Sequence, residues 1–485
     1  MIPLTLAEVA SAVGGAVHGC DGAEVVSGSV EFDSRRVAPG GLFVAVPGER
    51  ADGHNFAVAA VAAGAVGVLA GRPVGVASVL APRPGGGSRA RSYALAADTD
   101  GAGAAVLAAL ARLAQTVVHT LSQTGLQVVG LTGSSGKTST KDMVATLLAP
   151  LGPTIAPPGS FNNEIGHPWT ALRADEATRH LVLELSARGP GQIAALCRVA
   201  PPAIGVVLNV GSAHLGEFGS RDAVATAKGE LVEALPAGAV AVLNADDAAV
   251  AAMDRRTAAR VVRFGRSAAA QVRAVDVALD DRGFPWFRLV TPTGEVPVQL
   301  VVPGEHQVSN ALAAAAVALE LGATPAGIAV MLAGYRPVSR WRLEVTDRPD
   351  GVTVVNDAYN ANPESVAAAL RTLVAMAGAQ RRSWAVLGPL AELGEAETEV
   401  YWEIGALAVR LGVDRLVVVG EQARPLHSVV PHSVLVSDVT AALELLRGEL
   451  TRGDVVLVKA SRSVGLERVA EGLLGAAGAN AGSSQ

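Results

Sequence analysis

The segment from residue 128 to 148 constrains this chain most, because it must form a strand, a glycine loop and a helix in immediate succession. The loop reads Gly130-Leu131-Thr132-Gly133-Ser134-Ser135-Gly136-Lys137-Thr138, follows the apolar pair Val128-Val129 and precedes Met143-Val144-Ala145-Thr146-Leu147-Leu148. In such an arrangement glycines let backbone N–H groups wrap a phosphate chain, and the helix N-terminus adds positive potential. Lys137 is placed to reach the β- and γ-phosphates of a nucleotide, and the Thr138 hydroxyl to ligate Mg²⁺. A glycine turn with an exposed lysine is the bland alternative, and the flanking strand and helix argue against it. Lys141, one helical turn further on, reads as a solvated side chain.

A chain of 485 residues exceeds what one hydrophobic core organises, so three domains are expected. Half the residues are hydrophobic while aromatics are only 4%, which suits closely packed Ala- and Gly-rich helices and sheets. Residues 1–97 mix short strands with turns, including the apolar run 42–46, and read as a small N-terminal α/β module. The uncharged stretch from Phe56 to Gly71 reads as a packed helix. A Pro/Gly/Ser/Arg-rich loop over 82–91 and a helical run over 104–121 set the next boundary near Asp98. From 98 to 336, apolar runs at 128–131, 181–184 and 204–208 alternate with helical stretches, the pattern of a largely parallel sheet. From 337 to 485 a third cycle, with strands near 352–355, 384–387, 416–419 and 455–458, predicts a Rossmann-like doubly wound domain, ending in a frayed polar tail after Gly475.

The formal net charge of -6, without a basic block, argues against nucleic acid or an anionic membrane surface as the main partner. The first residues lack the features of a signal peptide, and no membrane span is expected. Two cysteines, Cys20 and Cys197, exclude a disulfide framework and fit a reducing cytoplasm. Among 39 Lys and Arg residues only Lys137, Lys141, Lys228 and Lys459 are lysines. Arginine cannot supply a neutral amine, so a lysine retained against this bias is a candidate for chemistry that needs one.

A phosphate loop alone is compatible with a kinase, an ATPase, a GTPase or a ligase. Glu184 ends an apolar strand and is placed to hold Mg²⁺, or else is a satisfied polar strand end. His214, after the strand at 204–208, carries the same two readings. Three elements ending on one face favour the functional one.

The order of several further segments makes the chain resemble the Mur ligase family over nearly its whole length. They are Phe32-Asp33-Ser34-Arg35, Asp52-Gly53-His54, the phosphate loop through Ser139, Phe161-Asn162-Asn163-Glu164-Ile165-Gly166 and Leu208-Asn209-Val210-Gly211-Ser212-Ala213-His214-Leu215. Ala227-Lys228-Gly229-Glu230-Leu231, Leu243-Asn244-Ala245-Asp246-Asp247, Gly304-Glu305-His306-Gln307-Val308-Ser309-Asn310 and Asn356-Asp357-Ala358-Tyr359-Asn360-Ala361-Asn362-Pro363 complete them. Within the family, the double Asn162-Asn163 resembles members that add D-alanyl-D-alanine to UDP-N-acetylmuramoyl-tripeptide.

The resemblance implies an N-terminal domain for the uridine nucleotide, a central ATPase domain and a C-terminal domain that closes on the incoming dipeptide. It places Ser34 and Arg35 near the uridine diphosphate, and Asn162 and Asn163 near the muramoyl peptide. His306 and Asn310 fall on the adenine side, and Arg342 reaches back to ATP. Asn356, Asp357, Tyr359, Asn360 and Asn362 lie where the C-terminal domain meets nucleotide and substrates. By the same resemblance the Lys228 amine captures carbon dioxide, and the carbamate helps orient a second Mg²⁺ beside Glu184 and His214. A monomer is expected.

Some positions depart from the family pattern. Gly388-Pro389-Leu390 lacks a usual acidic residue, with Glu392 nearby. Leu185-Ser186-Ala187 replaces Met-Gly-Ala, Gln192 stands where Glu is common, and Lys459-Ala460-Ser461 replaces Lys-Gly-Ser. A ligase for another amino acid, a folate polyglutamate ligase and a non-catalytic nucleotide-binding scaffold are the competing readings. The third residue of the stem peptide is not legible in the sequence.

Overall fold

Near-continuous runs of Val, Ile and Leu form strands buried on both faces, and helices must cover those faces. The computed structural model describes residues 1–48, 51–83, 95, 98–212, 215–394 and 397–475 and contains three main sheets in chain order, one per domain. The first runs Ala16–His18, Ser78–Leu80, Ala65–Ala70, Gly41–Val44, Val30–Glu31, parallel except for its first pair.

The central sheet has nine strands. The strand Gln127–Thr132 lies between His180–Glu184 and Ile204–Val207, both parallel to it, so the phosphate loop, Glu184 and Asn209 leave the sheet side by side. Thr154–Ile155 closes one edge. Val240–Asn244, Arg260–Gly265 and Val272–Leu279 extend the other in parallel, and Pro285–Thr291 and Gly294–Gln299 finish it antiparallel. The C-terminal sheet runs Glu344–Asp347, Thr353–Asn356, Val455–Lys459, Ser383–Leu387, Arg415–Val419, Val434–Val436, with only its first strand antiparallel. These elements make the chain the three-domain α/β protein that the apolar runs predict.

The stretch 56–71 is not one helix. A helix covers Ala57–Ala62, Gly64 turns the chain at a φ of 116°, and Ala65–Ala70 is a strand. The β-branched Val66 and Val68 suit a strand between two neighbours better than a further helical turn. The tail after Gly475, most of the loop at 82–91 and His214 lie outside the described residues.

The helix Ala102–Gln123 joins the first two domains. Its buried Val106, Leu110, Leu113, Val117 and Leu121 recur at helical spacing and belong to one apolar core shared with Leu6, Val9, Leu69, Leu172, Ile193 and Leu196. Among the described residues this helix alone is long and apolar enough to cross a membrane, but more than half of its most apolar window is buried inside the fold.

Aromatic residues, scarce elsewhere, reinforce this junction. Trp169 packs against Phe161 and Phe32 with ring centroids 4.8 and 5.7 Å away, and its Nε1 donates to the Val30 carbonyl at 2.8 Å. Arg36 and Arg173 lie over the same ring. Trp169→Ala is therefore expected to destabilise the protein by about 3–5 kcal/mol, read as a lowered denaturant midpoint.

Candidate active site

Gly136 is the last residue before the helix Lys137–Leu148 and takes a φ of 78°, a left-handed conformation that favours glycine. A β-carbon there would lie 2.5 Å from Asn310 Oδ1. Asn310 itself is held by Thr140 Oγ1 at 3.2 Å and donates to Gln307 at 2.9 Å. Across the loop, Asn209 Oδ1 accepts from the N–H groups of Ser134 and Ser135 at 3.0 and 2.9 Å. Asn209 is braced in turn because Asn244 holds the Leu208 carbonyl and Asp247 accepts from Val210 N–H. Lys137 folds back onto the Gly133 carbonyl at 2.7 Å. Its pKa is lowered by burial and by Arg342, against the opposing pull of Glu184. Ser139 sits in the same helix's first turn. Gly136→Ala combines backbone strain with collision, and nucleotide binding by calorimetry is expected to weaken at least about tenfold, a loss of the size backbone strain alone supplies.

Glu184 is almost fully buried, and its carboxylate gathers the site. Thr138 Oγ1 donates to one oxygen at 3.0 Å, while Ser160 Oγ and Asn162 Nδ2 donate to the other at 3.1 and 2.7 Å. Arg342, in the segment entering the third domain, donates to Thr138 Oγ1 at 3.2 Å with its guanidinium 4.2 Å from the Tyr359 ring centroid. Carboxylate and hydroxyl oxygens are hard donors that suit Mg²⁺.

Three of the four lysines are buried. Lys228, on the helix Arg221–Glu233, has its pKa well below the usual lysine value through burial and the nearby Lys137. No described residue hydrogen-bonds its amine. Its motif neighbours place it. Glu230 caps the N-terminus of the helix Gln192–Val199, and Gly229 leaves room for Arg256, which a β-carbon would meet at 2.0 Å. Lys141 is not solvated. It is fully buried, paired with Asp142 and bonded to the Pro157 carbonyl at 2.7 Å, because the helix face it occupies packs under the 157 loop and Ser339. Lys459 binds the Asp357 carboxylate at 2.6 Å and the Asn360 carbonyl at 2.9 Å.

The C-terminal domain reaches the phosphate loop directly. Asn362 caps the helix Pro363–Ala377 and donates from Nδ2 to the Ser134 carbonyl at 3.3 Å, while Glu364 accepts from Ser212 N–H. Asn356 is buried at the end of its strand and accepts from Ala358 N–H. A cleft of about 990 Å³ between the first two domains is lined by Ser34, Arg35, Asn162, Asn163, Ser186 and Arg188. Asn163 Oδ1 also accepts from Gly166 N–H at 2.9 Å, and Asp33, bonded to Arg35, has its pKa lowered to about 2. A second cavity, about 470 Å³, is lined by His306, Ser309, Asp246, Arg266 and Arg371 from the central and C-terminal domains.

The family departures have structural partners. Gln192 accepts from Arg188 N–H at 2.8 Å, and Glu392 pairs with Arg188 at 3.1 Å across the domain boundary. Ala460 lies against Gly388, where a β-carbon would meet it at 2.9 Å. Asn209, Ser160 and Ser186 are contacts that residue-level reading did not single out. Asn209 left a signal as a polar residue just past an apolar strand, like Glu184, and Ser186 left one as a departure from the family pattern, while Ser160 left none.

Burial lowers the pKa of both His167 and His306 to about 4. Between pH 6.5 and 4 the unfolded chain binds these protons and the folded one does not, so stability is lost as the pH is lowered through that window. Each is expected to contribute on the order of 3 kcal/mol to that loss. His167→Gln should flatten the pH dependence of the melting temperature in this window.

A parallel sheet presenting a phosphate loop, with a C-terminal domain that reaches the loop and a first domain that shares an apolar core and a cleft with the sheet's domain, defines a three-domain P-loop α/β protein. The Mur ligase middle domain matches residues 131–318, the Mur ligase, glutamate ligase domain 341–462, and the Mur ligase family, catalytic domain 28–112. The UDP-N-acetylmuramoyl-tripeptide--D-alanyl-D-alanine ligase of Mycobacterium tuberculosis is 54% identical over 98% of both chains, and that of Escherichia coli 34% over 98% of this chain and 99% of its own. The crystal structure of MurF from Acinetobacter baumannii matches with a TM-score of 0.84 at 28% identity, covering 97% of this chain and 99% of that one. MurF ligase from Thermotoga maritima in complex with ADP matches with a TM-score of 0.75 at 30% identity, covering 92% and 97%. The chain belongs to the Mur ligase family.

Proposed function

We propose that this protein joins D-alanyl-D-alanine to UDP-N-acetylmuramoyl-tripeptide, consuming ATP and giving the UDP-muramoyl-pentapeptide, ADP and phosphate. The carrying observation is the join between the phosphate loop and the large cleft. Thr138 and Asn162, one from each, bond the same Glu184 carboxylate. The names of the relatives and the ADP complex of a structural neighbour support the same reading.

In this reading residues 1–97 bind the uridine nucleotide with Ser34 and Arg35, residues 98–336 bind ATP, and residues 337–485 close on the dipeptide. The peptide's terminal carboxylate enters the large cleft past Asn162 and Asn163 and attacks the γ-phosphate. A carboxylate is a poor electrophile, and phosphorylation gives it a leaving group. The dipeptide's free amine then attacks the acyl phosphate carbonyl, phosphate departs, and an amide remains. Lys137, released from the Gly133 carbonyl, and Arg342, above Thr138, neutralise charge on the transferred phosphoryl. His306 and Asn310 border the adenine, while Asn356, Asp357, Tyr359, Asn360 and Asn362 bring the third domain down and keep water from the acyl phosphate.

Glu184 and Thr138 fit Mg²⁺, which supplies further charge neutralisation at the phosphates. Lys228 fits carbamylation, because a buried amine with depressed proton affinity is the nucleophile that carbon dioxide requires. As a carbamate it would join His214 and Glu184 as the residues to hold a second Mg²⁺. The enzyme works in the cytoplasm, as a monomer and without nucleic acid, in peptidoglycan precursor synthesis.

The test is phosphate release from ATP and Mg²⁺ with UDP-muramoyl-tripeptide and D-alanyl-D-alanine, omitting each in turn and weighing the product. Release that needs both substrates and yields the pentapeptide is expected, and absence of product with any tripeptide or dipeptide rejects the assignment. Lys137→Ala should reduce the rate at least about a hundredfold, the cost of one transition-state donor. Lys228→Ala should be crippled similarly, with partial recovery on adding bicarbonate or short carboxylates. A fully active Lys228→Ala enzyme removes the carbamate.

A further inference from the structure

Ser186 has no part in the chemistry just assigned, yet its hydroxyl is bonded to Asn162, the residue whose amide holds the carboxylate at the centre of the site. Its Oγ donates to Asn162 Oδ1 at 2.9 Å, with the Asn162 carbonyl 3.1 Å away, and its own N–H donates to that carbonyl at 3.1 Å. From the other end of the amide, Asn162 Nδ2 donates to Glu184 Oε1 at 2.7 Å and to Ser160 Oγ at 3.0 Å.

An asparagine amide has two ends of similar shape and opposite hydrogen-bonding character. With Oδ1 engaged by the Ser186 hydroxyl, the NH₂ end must face Glu184. Without that hydroxyl Oδ1 loses its donor, and the amide is anchored through its NH₂ end alone, free to swing about its Cβ–Cγ bond. Glu184 then keeps Thr138 and Ser160, while the shortest of its three hydrogen bonds is no longer held in place. Ser186 and Asn162 both line the 990 Å³ cleft, so the series Ser186, Asn162, Glu184, Thr138 is a continuous hydrogen-bonded path from the cleft wall to the phosphate loop.

We infer that Ser186 is a positioning residue for the metal carboxylate, acting through the Asn162 amide to hold Glu184 in the orientation that takes up Mg²⁺ with the nucleotide. The inference rests on the reading of Glu184 as a metal ligand. It concerns a position where this chain carries a hydroxyl and the family pattern carries none.

The test is calorimetric binding of ADP to the full-length protein with and without Mg²⁺, so that metal-free ADP serves as the internal reference. In Ser186→Ala the gain in ADP affinity on adding Mg²⁺ is expected to shrink about fivefold, the effect of one neutral hydrogen bond, with metal-free ADP binding unchanged. Ser186→Thr, which keeps the hydroxyl, should restore the gain. In an Asn162→Ala background Ser186→Ala should have no further effect, because both act through one amide. Melting temperatures report folding, and Ser186→Gly, which removes the hydroxyl without adding bulk, repeats the loss should the alanine variant be unstable. An unchanged Mg²⁺ gain in the hydroxyl-free variants, or effects that add to Asn162→Ala, overturns the inference. Wild-type protein that shows no Mg²⁺ gain at all overturns the metal reading of Glu184 and the inference with it.

Discussion

A buried carboxylate has to be surrounded by donors, and Glu184 meets that demand with three groups from two separate segments. Burying an ionised carboxylate without partners costs far more than a domain's whole stability margin. The phosphate loop supplies Thr138, and the stretch after the strand Thr154–Ile155 supplies Ser160 and Asn162. The donors that stabilise the charge thereby fix where the loop, the substrate cleft and the strand end meet. Arg342 extends the same node into the third domain through Thr138.

The lysine distribution has a related physical basis. In a chain that otherwise uses arginine, Lys141, Lys228 and Lys459 occupy buried sites and Lys137 sits in the phosphate loop. Lys141 and Lys459 are paired with carboxylates and backbone carbonyls, which a compact ammonium on a flexible stem reaches more readily than a planar guanidinium. Lys228 lacks such a partner among the described residues, and burial leaves its amine easier to deprotonate. Its isolation, set against the pairing of the other two, supports a separate task.

Some of the scarce aromatics sit at or beside domain junctions. Trp169, Phe161 and Phe32 weld the first domain to the second, next to the cleft those domains share. Tyr359 lies under Arg342, and Trp341, with a left-handed backbone at φ 59°, lies under Arg462. The first junction is a continuous apolar core. The second is made largely of polar contacts such as Asn362 to Ser134 and Glu364 to Ser212, which can separate at less cost than an apolar core. In the proposed reaction, sequestered acyl transfer calls for a rigid cleft and a third domain that can close on it.

The local code marked the most apolar strands and the phosphate loop. Continuous apolar runs at 128–131, 181–184, 204–208 and 455–458 mark strands buried on both faces, and the spacing of Gly133, Gly136, Lys137 and Thr138 marks the phosphate loop, because each signal lies within a few neighbouring residues. The stretch 56–71 was misread where Ala-rich composition hid a glycine turn and a buried strand. Tertiary structure alone decided that Asn209 clamps the loop from 75 residues away, that Lys141 faces Ser339 rather than solvent, and that Ser186 orients Asn162. Those outcomes depend on which faces of distant elements meet when the sheets pack, and a hydroxyl or an amide carries no local mark of the partner that will satisfy it.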